Sequence, residues 1–149
     1  MKIISIINQK GGVGKTTTVI NLASALSQLG KKILVIDLDP QGNATTGLGL
    51  SNLENSEKSI YSVLNGTKKI ADVIEKTKFE NLDLITSNVD LSGLEVETAG
   101  DNERAFILKT KLSAYLSNSS SLYDYILIDC PPSLSLLTVM ALVTSNSLL

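Results

Sequence analysis

Gln9-Lys10-Gly11-Gly12-Val13-Gly14-Lys15-Thr16-Thr17 stands between the apolar run Lys2-Ile-Ile-Ser-Ile-Ile-Asn8 and a helical pattern over residues 16–29. Strand, glycine turn and helix, in that order, suit a phosphate cradle. Glycines let backbone N–H groups converge on oxygen atoms with no Cβ in the way, and the helix adds the unpaired donors of its first turn. At this spacing Lys15 meets the β- and γ-phosphates of a nucleotide, the Thr16 hydroxyl completes a Mg²⁺ shell, and Thr17 is directed at the α-phosphate. The general pattern G-x-x-x-x-G-K-[ST] is met except at its first glycine, where Gln9 stands. A second lysine, Lys10, heads the loop; two ammonium groups on one tight turn repel each other unless a polyphosphate neutralises both.

Outward from the loop, Ile3, Ile4, Ile6 and Ile7 form a β-branched run expected of a parallel strand covered on both faces. Val19, Leu22, Ala23, Leu26 and Leu29 recur at helical spacing and Gly30 is placed to end the helix. Ile33-Leu34-Val35-Ile36 is a second buried strand, completing a βαβ unit with a right-handed crossover. It delivers Asp37 and Asp39 to its C-terminal end, the edge at which open α/β sheets bind ligands. Pro40 stops the ladder, and Gly42, Gly47 and Gly49 predict a flexible segment over 41–50.

Further along, residues 59–64 and 70–74 read as short helices around Asn65-Gly66. Residues 82–86 read as a third strand and 87–100 as irregular. A helix over 102–116 has Ala105, Leu108, Leu112, Tyr115 and Leu116 on one face. Tyr125-Ile126-Leu127-Ile128 is a fourth strand that ends on Asp129. Pro131-Pro132 prevents its continuation, so the carboxylate sits at the strand tip facing the loop. A helix over 133–143 and the first residues of another strand at 147–149 follow.

With 149 residues, 43% of them hydrophobic, the chain suffices for one core and not obviously for two. Thirteen basic side chains against 15 acidic give a net charge of −2, so no whole-chain basic field holds DNA; such contact needs a local patch or residues outside this sequence. Cys130 is the only cysteine and histidine is absent, which excludes disulfide frameworks, Cys/His zinc sites and histidine acid–base chemistry. A lone cysteine fits a reducing cytosol. The apolar run at 3–7 is too short for a secretory signal, and none is expected. No stretch reaches the roughly 18 to 20 apolar residues of a membrane span.

Lys10-Gly11-Gly12-Val13-Gly14-Lys15-Thr16-Thr17 resembles the deviant Walker A phosphate loop of the ParA/MinD family of partition ATPases. Asp37-Leu38-Asp39-Pro40-Gln41-Gly42-Asn43 and Ile126-Leu127-Ile128-Asp129-Cys130-Pro131-Pro132 match the family's next two motifs, nearest to its chromosomal ParA, or Soj, branch. The resemblance implies an α/β, P-loop NTPase-like fold, mostly parallel with helices on both faces. Residues 1–149 would be the N-terminal part of a single ATPase domain, with on the order of 100 further residues beyond.

It further implies an ATP-binding and Mg²⁺-dependent hydrolysing switch in which residues 10–17 hold ATP. Lys10, Lys15 and Asp39 would be catalytic: Asp39 orients the attacking water, and Lys10 reaches in trans to the nucleotide of a facing subunit. Thr16, Asp37, Asp39 and Asp129 form the expected metal site, with Asp129 as in a Walker B motif and Asp37 acting from further out. The implied partners are a second copy of the chain, a ParB-like protein and non-specific DNA, the last through regions mostly beyond Leu149. The implied location is cytoplasmic and nucleoid-associated.

Alternatives are a MinD-like membrane-positioning ATPase, an ATP-dependent ligase or kinase on small molecules, an iron–sulfur reductase component, or an inactive fragment. Lys10 opposes the ligase and a single cysteine opposes the cluster protein. One position departs from the pattern: Met140 stands where related chains carry Asn in a Thr-x-Asn-Ala-Leu run.

Overall fold

The structure is a computed structural model and describes residues 1–7, 14–50, 57–118 and 122–149, with the side chain of Lys15 also outside the description. Strands β1 (Lys2–Ile6), β2 (Ile33–Asp37), β4 (Leu82–Ile85) and β5 (Tyr125–Asp129) are joined by the short β3 (Ile74–Lys76) and β6 (Ser147–Leu148) in one sheet. The strand order is β3-β4-β2-β5-β1-β6. Every pairing is parallel except β3 with β4, which is antiparallel.

The near-continuous apolar strands are explained by cover on both faces. In β2, Ile33 and Val35 join one core cluster while Leu34 and Ile36 join the other. The first face packs against α1 (Lys15–Gln28), through Val19 and Ala23, and against Leu48 just past α2 (Asn43–Gly47). The opposite face is covered by α3 (Ile60–Leu64), α4 (Ile70–Val73), α5 (Leu94–Glu97), α6 (Ile107–Asn118) and α7 (Leu136–Thr144). The fold is therefore the P-loop NTPase-like, mostly parallel α/β sheet with helices on both faces that the sequence predicts.

Several expectations are revised. Residues 41–50 are not an open flexible segment: α2 occupies their centre, with Gly42 at φ 66 and Gly49 at φ 82 bounding it. Gly47 lies against the tip of the Ile20 side chain of α1, which a Cβ at this position would have to displace. Ile74 leaves the helix predicted over 70–74 and starts β3, where a β-branched residue pairs against Ile85 of β4. Leu29 lies past the end of α1 and is 77% exposed, because the helix stops at Gln28 and Gly30 turns the chain at φ 83. The last helix begins at Leu136 rather than 133, because Ser135 is extended, at φ −110 and ψ 176, and stands as its N-cap.

The weak β6 is tied to β1 by side chains as well as backbone. Asn146 accepts from the Ile3 amide at 2.8 Å through Oδ1, and its own amide donates to the Ile3 carbonyl at 2.8 Å. Buried Ser5 bonds Ser145 and the Ala141 carbonyl at the end of α7.

Ile36 is fully buried in the central strand. Ile36→Ala is expected to cost about 2–5 kcal/mol of unfolding free energy, while Leu29→Ala costs less than about 0.5 kcal/mol. Urea titrations of the two variants check the contrast.

Candidate nucleotide and metal site

The parallel register brings three strand tips to one edge. Asp129, at the end of β5, pairs with Ile6 of β1 on one side and Asp37 of β2 on the other. The segment after β1 is the glycine-rich sequence, of which residues 8–13 lie outside the described residues. The predicted contributions of Lys10, Gly11, Gly12 and Val13 therefore fall outside the description, as does that of the Lys15 side chain.

Gly14 has a φ of 83, a left-handed conformation that favours glycine. Gly14 caps α1, and its carbonyl accepts the first helical bond, from the Thr18 amide at 2.8 Å. No side chain caps this end and no acidic residue occupies its first turn. The helix N-terminus thus keeps its positive field for an anion. Thr17 is exposed on the same turn.

Thr16 and Asp129 meet: the threonine Oγ1 donates to Asp129 Oδ2 at 3.0 Å. Asp129 itself is buried. A hydroxyl and a carboxylate at this separation are hard oxygen donors of the kind Mg²⁺ takes. Among the described residues there is no group of three or more His, Cys, Asp or Glu able to hold a metal. A Mg²⁺ ion fits here as it commonly does, on few protein ligands with phosphate and water supplying the others.

Asp37 and Asp39 share the edge but their polar bonds run elsewhere. Asp37 accepts from the Thr45 amide at 2.8 Å, the Thr45 hydroxyl at 2.7 Å and the Asp39 amide at 3.1 Å. Asp39 accepts from the Gln41 amide at 3.0 Å, and its carbonyl accepts from the Ser87 hydroxyl at 2.6 Å. The Ser87 amide donates to Thr45 Oγ1 at 3.0 Å, so β2, α2 and the segment after β4 are joined through one hydroxyl. Sequence reading missed Thr45 and Ser87. Neither belongs to a motif, and only the fold closes the 42-residue separation between them.

Burial pushes the Asp37 carboxyl up to about 7; the Thr45 hydroxyl opposes the shift, and the nearby Asp129 charge adds to it.

Parallel strands that bring a helix N-terminus and an Asp to one edge, in a chain whose sequence carries the glycine pattern of a phosphate loop, are the arrangement of a P-loop fold. The sequence model of the family described as an AAA domain matches residues 1–149, and the chain belongs to that family, as a ParA/MinD-type member close to Soj.

The chain is 49% identical over 146 residues to the sporulation initiation inhibitor protein Soj of Bacillus subtilis, covering 98% of this chain and 56% of that protein. It is 44% identical over 147 residues to the chromosome partitioning protein ParA of Caulobacter vibrioides, covering 99% and 54%. A solved structure of cobyrinic acid a,c-diamide synthase from Mycobacterium smegmatis, with an ATP analogue and magnesium bound, matches with a TM-score of 0.90. Identity to that synthase is 34%, over 99% of this chain and 58% of the synthase. The chain thus spans little more than half the length of these proteins.

Two predictions follow from the carboxylate network. Thr45→Val leaves a buried carboxylate and the Ser87 amide short of a partner and is expected to cost about 3 kcal/mol, whereas Thr45→Ser keeps the hydroxyl and costs under about 1 kcal/mol. Chemical denaturation checks the difference. The pH dependence comes from Asp37, whose raised folded pKa makes the native state bind the proton more tightly than the unfolded chain. Its stabilising contribution is full below pH 3.8 and is lost as pH rises to about 7. In chelator and without nucleotide, stability should decline across that window by up to about 1.4 kcal/mol per pH unit. Asp37→Asn should flatten the decline, and an unchanged slope would contradict the assignment.

Proposed function

We propose that this chain is the nucleotide-binding part of an ATP-driven partition switch that moves chromosome or plasmid DNA with a ParB-like partner. The observation that carries the reading is the 3.0 Å bond between Thr16, at the start of α1, and Asp129, at the tip of β5. It joins the phosphate-loop helix to the acidic strand tip where a Mg–nucleotide would sit. The partition assignment rests on the 49% and 44% identity to Soj and ParA. The likeness to an ATP- and magnesium-bound synthase supports only the nucleotide chemistry.

In this reading the amides of the glycine loop and the Lys15 ammonium bind the polyphosphate, and the first turn of α1 adds its dipole. Thr16 and Asp129 would hold Mg²⁺, which would supply positive charge to offset that of the phosphates. Asp39 orients the attacking water and takes its proton. Asp37, held by Thr45, fixes the backbone that carries Asp39 and supports the metal site from behind. Lys10 reaches the nucleotide of a second copy of the chain, so ATP becomes part of a dimer interface and hydrolysis releases it.

The family alternative, MinD-like positioning at a membrane, lacks a comparable observation.

Asp39→Ala is expected to leave Mg–ATP binding largely intact and to slow hydrolysis by roughly 10² or more. Lys15→Ala should weaken binding by roughly 10² or more, through loss of a contact worth about 3 kcal/mol. Equilibrium titration with a fluorescent ATP analogue and single-turnover hydrolysis separate the two effects. In the full-length protein, Lys10→Ala should bind one ATP per chain and fail to dimerise with it, as followed by light scattering against an ADP control. Normal dimerisation and turnover in Lys10→Ala would sink the in-trans role.

A further inference from the structure

At the opposite edge of the sheet, Lys32, Asn81 and Tyr123 lie at the N-terminal entries to β2, β4 and β5. Five residues of strand separate this edge from the Asp37 and Asp129 tips, a distance of about 16 Å. A cavity of 590 Å³ opens there, bordered by Lys32, Lys76, Lys78, Phe79, Leu122 and Tyr123, with Glu80 and Asp83 also on its walls. Its volume lies in the range of small-molecule sites.

The walls are braced. Thr77 Oγ1 donates to the Leu82 carbonyl at 2.6 Å and accepts from the Phe79 amide at 3.1 Å, and Asn81 turns the chain at φ 64. Lys32 is pinned through its backbone, its amide donating to Asp124 Oδ2 at 2.8 Å and its carbonyl accepting from the Asp124 amide at 2.7 Å. On the floor, the buried Tyr123 hydroxyl donates to Asp83 Oδ2 at 2.7 Å, and the Lys76 ammonium lies 3.2 Å from the same oxygen. Burial and the Asp83 carboxylate raise the Tyr123 pKa far above its ordinary value, so the hydroxyl remains a donor.

Asp83 is thereby hydrogen-bonded by Tyr123 and paired with an exposed lysine, Lys76. Lys32 and Lys78 then face the cavity against the single carboxylate of Glu80, and Lys78 lies 5.3 Å above the Phe79 ring. Ammonium groups beside an aromatic and aliphatic wall suit a ligand with an anionic head and an apolar body. Lysine binds phosphate as a point charge without the geometric demands of a bidentate fork.

We propose that this cavity is a second ligand site, separate from the nucleotide edge, that takes a small phosphate ester with an apolar body. Phosphate sits between Lys32 and Lys78, and the body lies on Phe79 and Leu122. Glu80 and Asp83 on the walls favour a small ester over a polynucleotide backbone, whose successive phosphates follow a continuous cationic groove.

The test is a titration of the ¹⁵N-labelled chain with phenyl phosphate, phenol, inorganic phosphate and a short DNA duplex, at low ionic strength. Phenyl phosphate should shift the amides of residues 77–81 and 122–124, binding at least about tenfold more tightly than phenol, because the ester alone adds charge-assisted contacts. Lys32→Gln/Lys78→Gln alters two exposed side chains; it should weaken phenyl phosphate by about tenfold and leave ATP affinity at the loop unchanged. Shifts confined to residues 14–18, equal binding of phenol, or no loss in the double variant would overturn the proposal. So would shifts at residues 77–81 with DNA and none with phenyl phosphate. Lys32→Glu alone, which reverses one charge at the rim, should abolish the phenyl phosphate shifts; if they persist at parent affinity, the site does not bind through Lys32.

Discussion

Asp129 is held between Ile6 and Asp37 by parallel pairing on both sides, and the candidate chemistry depends on that register. Side chains alternate along a strand, so a slip of one residue on β5 would turn its carboxylate to the other face. Against such a slip stand two fully apolar faces: the odd and even residues of β2 belong to different core clusters, and each would meet the wrong neighbours. The Leu38 amide extends the pairing one step by donating to the Asp129 carbonyl at 2.8 Å. The ladder on both sides of β5 and the side-chain packing of each face therefore fix the relation between Asp129 and the helix that brings Thr16 to it.

Concentrating carboxylates at one buried edge has an energetic cost, and the structure offsets it with a threonine. Burial and the Asp129 charge both favour the neutral form of Asp37, while three donors favour the charged form. Burial dominates in the protein without nucleotide. A cation bound at the strand tips would lower the electrostatic cost of both carboxylates, so nucleotide–metal binding and the protonation of Asp37 are linked. The same Thr45 hydroxyl fixes Ser87, which in turn holds the backbone of Asp39. A movement of α2 would thus be transmitted to the carboxylate assigned to the attacking water.

The two edges of the sheet differ in charge. Parallel strands share a direction, so every strand tip falls at one edge and every entry at the other. Asp37, Asp39 and Asp129 collect at the first, while Lys2, Lys31 and Lys32 precede or open strands at the second. The antiparallel β3 brings Lys76 to the second edge because it ends where its neighbours begin. A chain of net charge −2 can therefore carry a local cationic surface far from its acidic site.

The strand, glycine turn and helix were legible in the sequence because their signals are local: β-branched runs, φ-permissive glycines and helical spacing. So were Asp37, Asp39 and Asp129, since each follows an apolar run and the first and last precede a proline by at most three residues. Leu29 misled because periodicity does not report where a helix stops, and residues 41–50 misled because glycines that bound a short helix look the same as glycines of a loose loop. Thr45 and Ser87 carried no motif; pairing between strands distant in sequence made them partners. Residue order determined which chemical groups stand at the strand ends. Tertiary structure decided which of them touch: Thr16 with Asp129, and Asp37 with Thr45, because only packing sets the distance between groups that the chain separates by many residues.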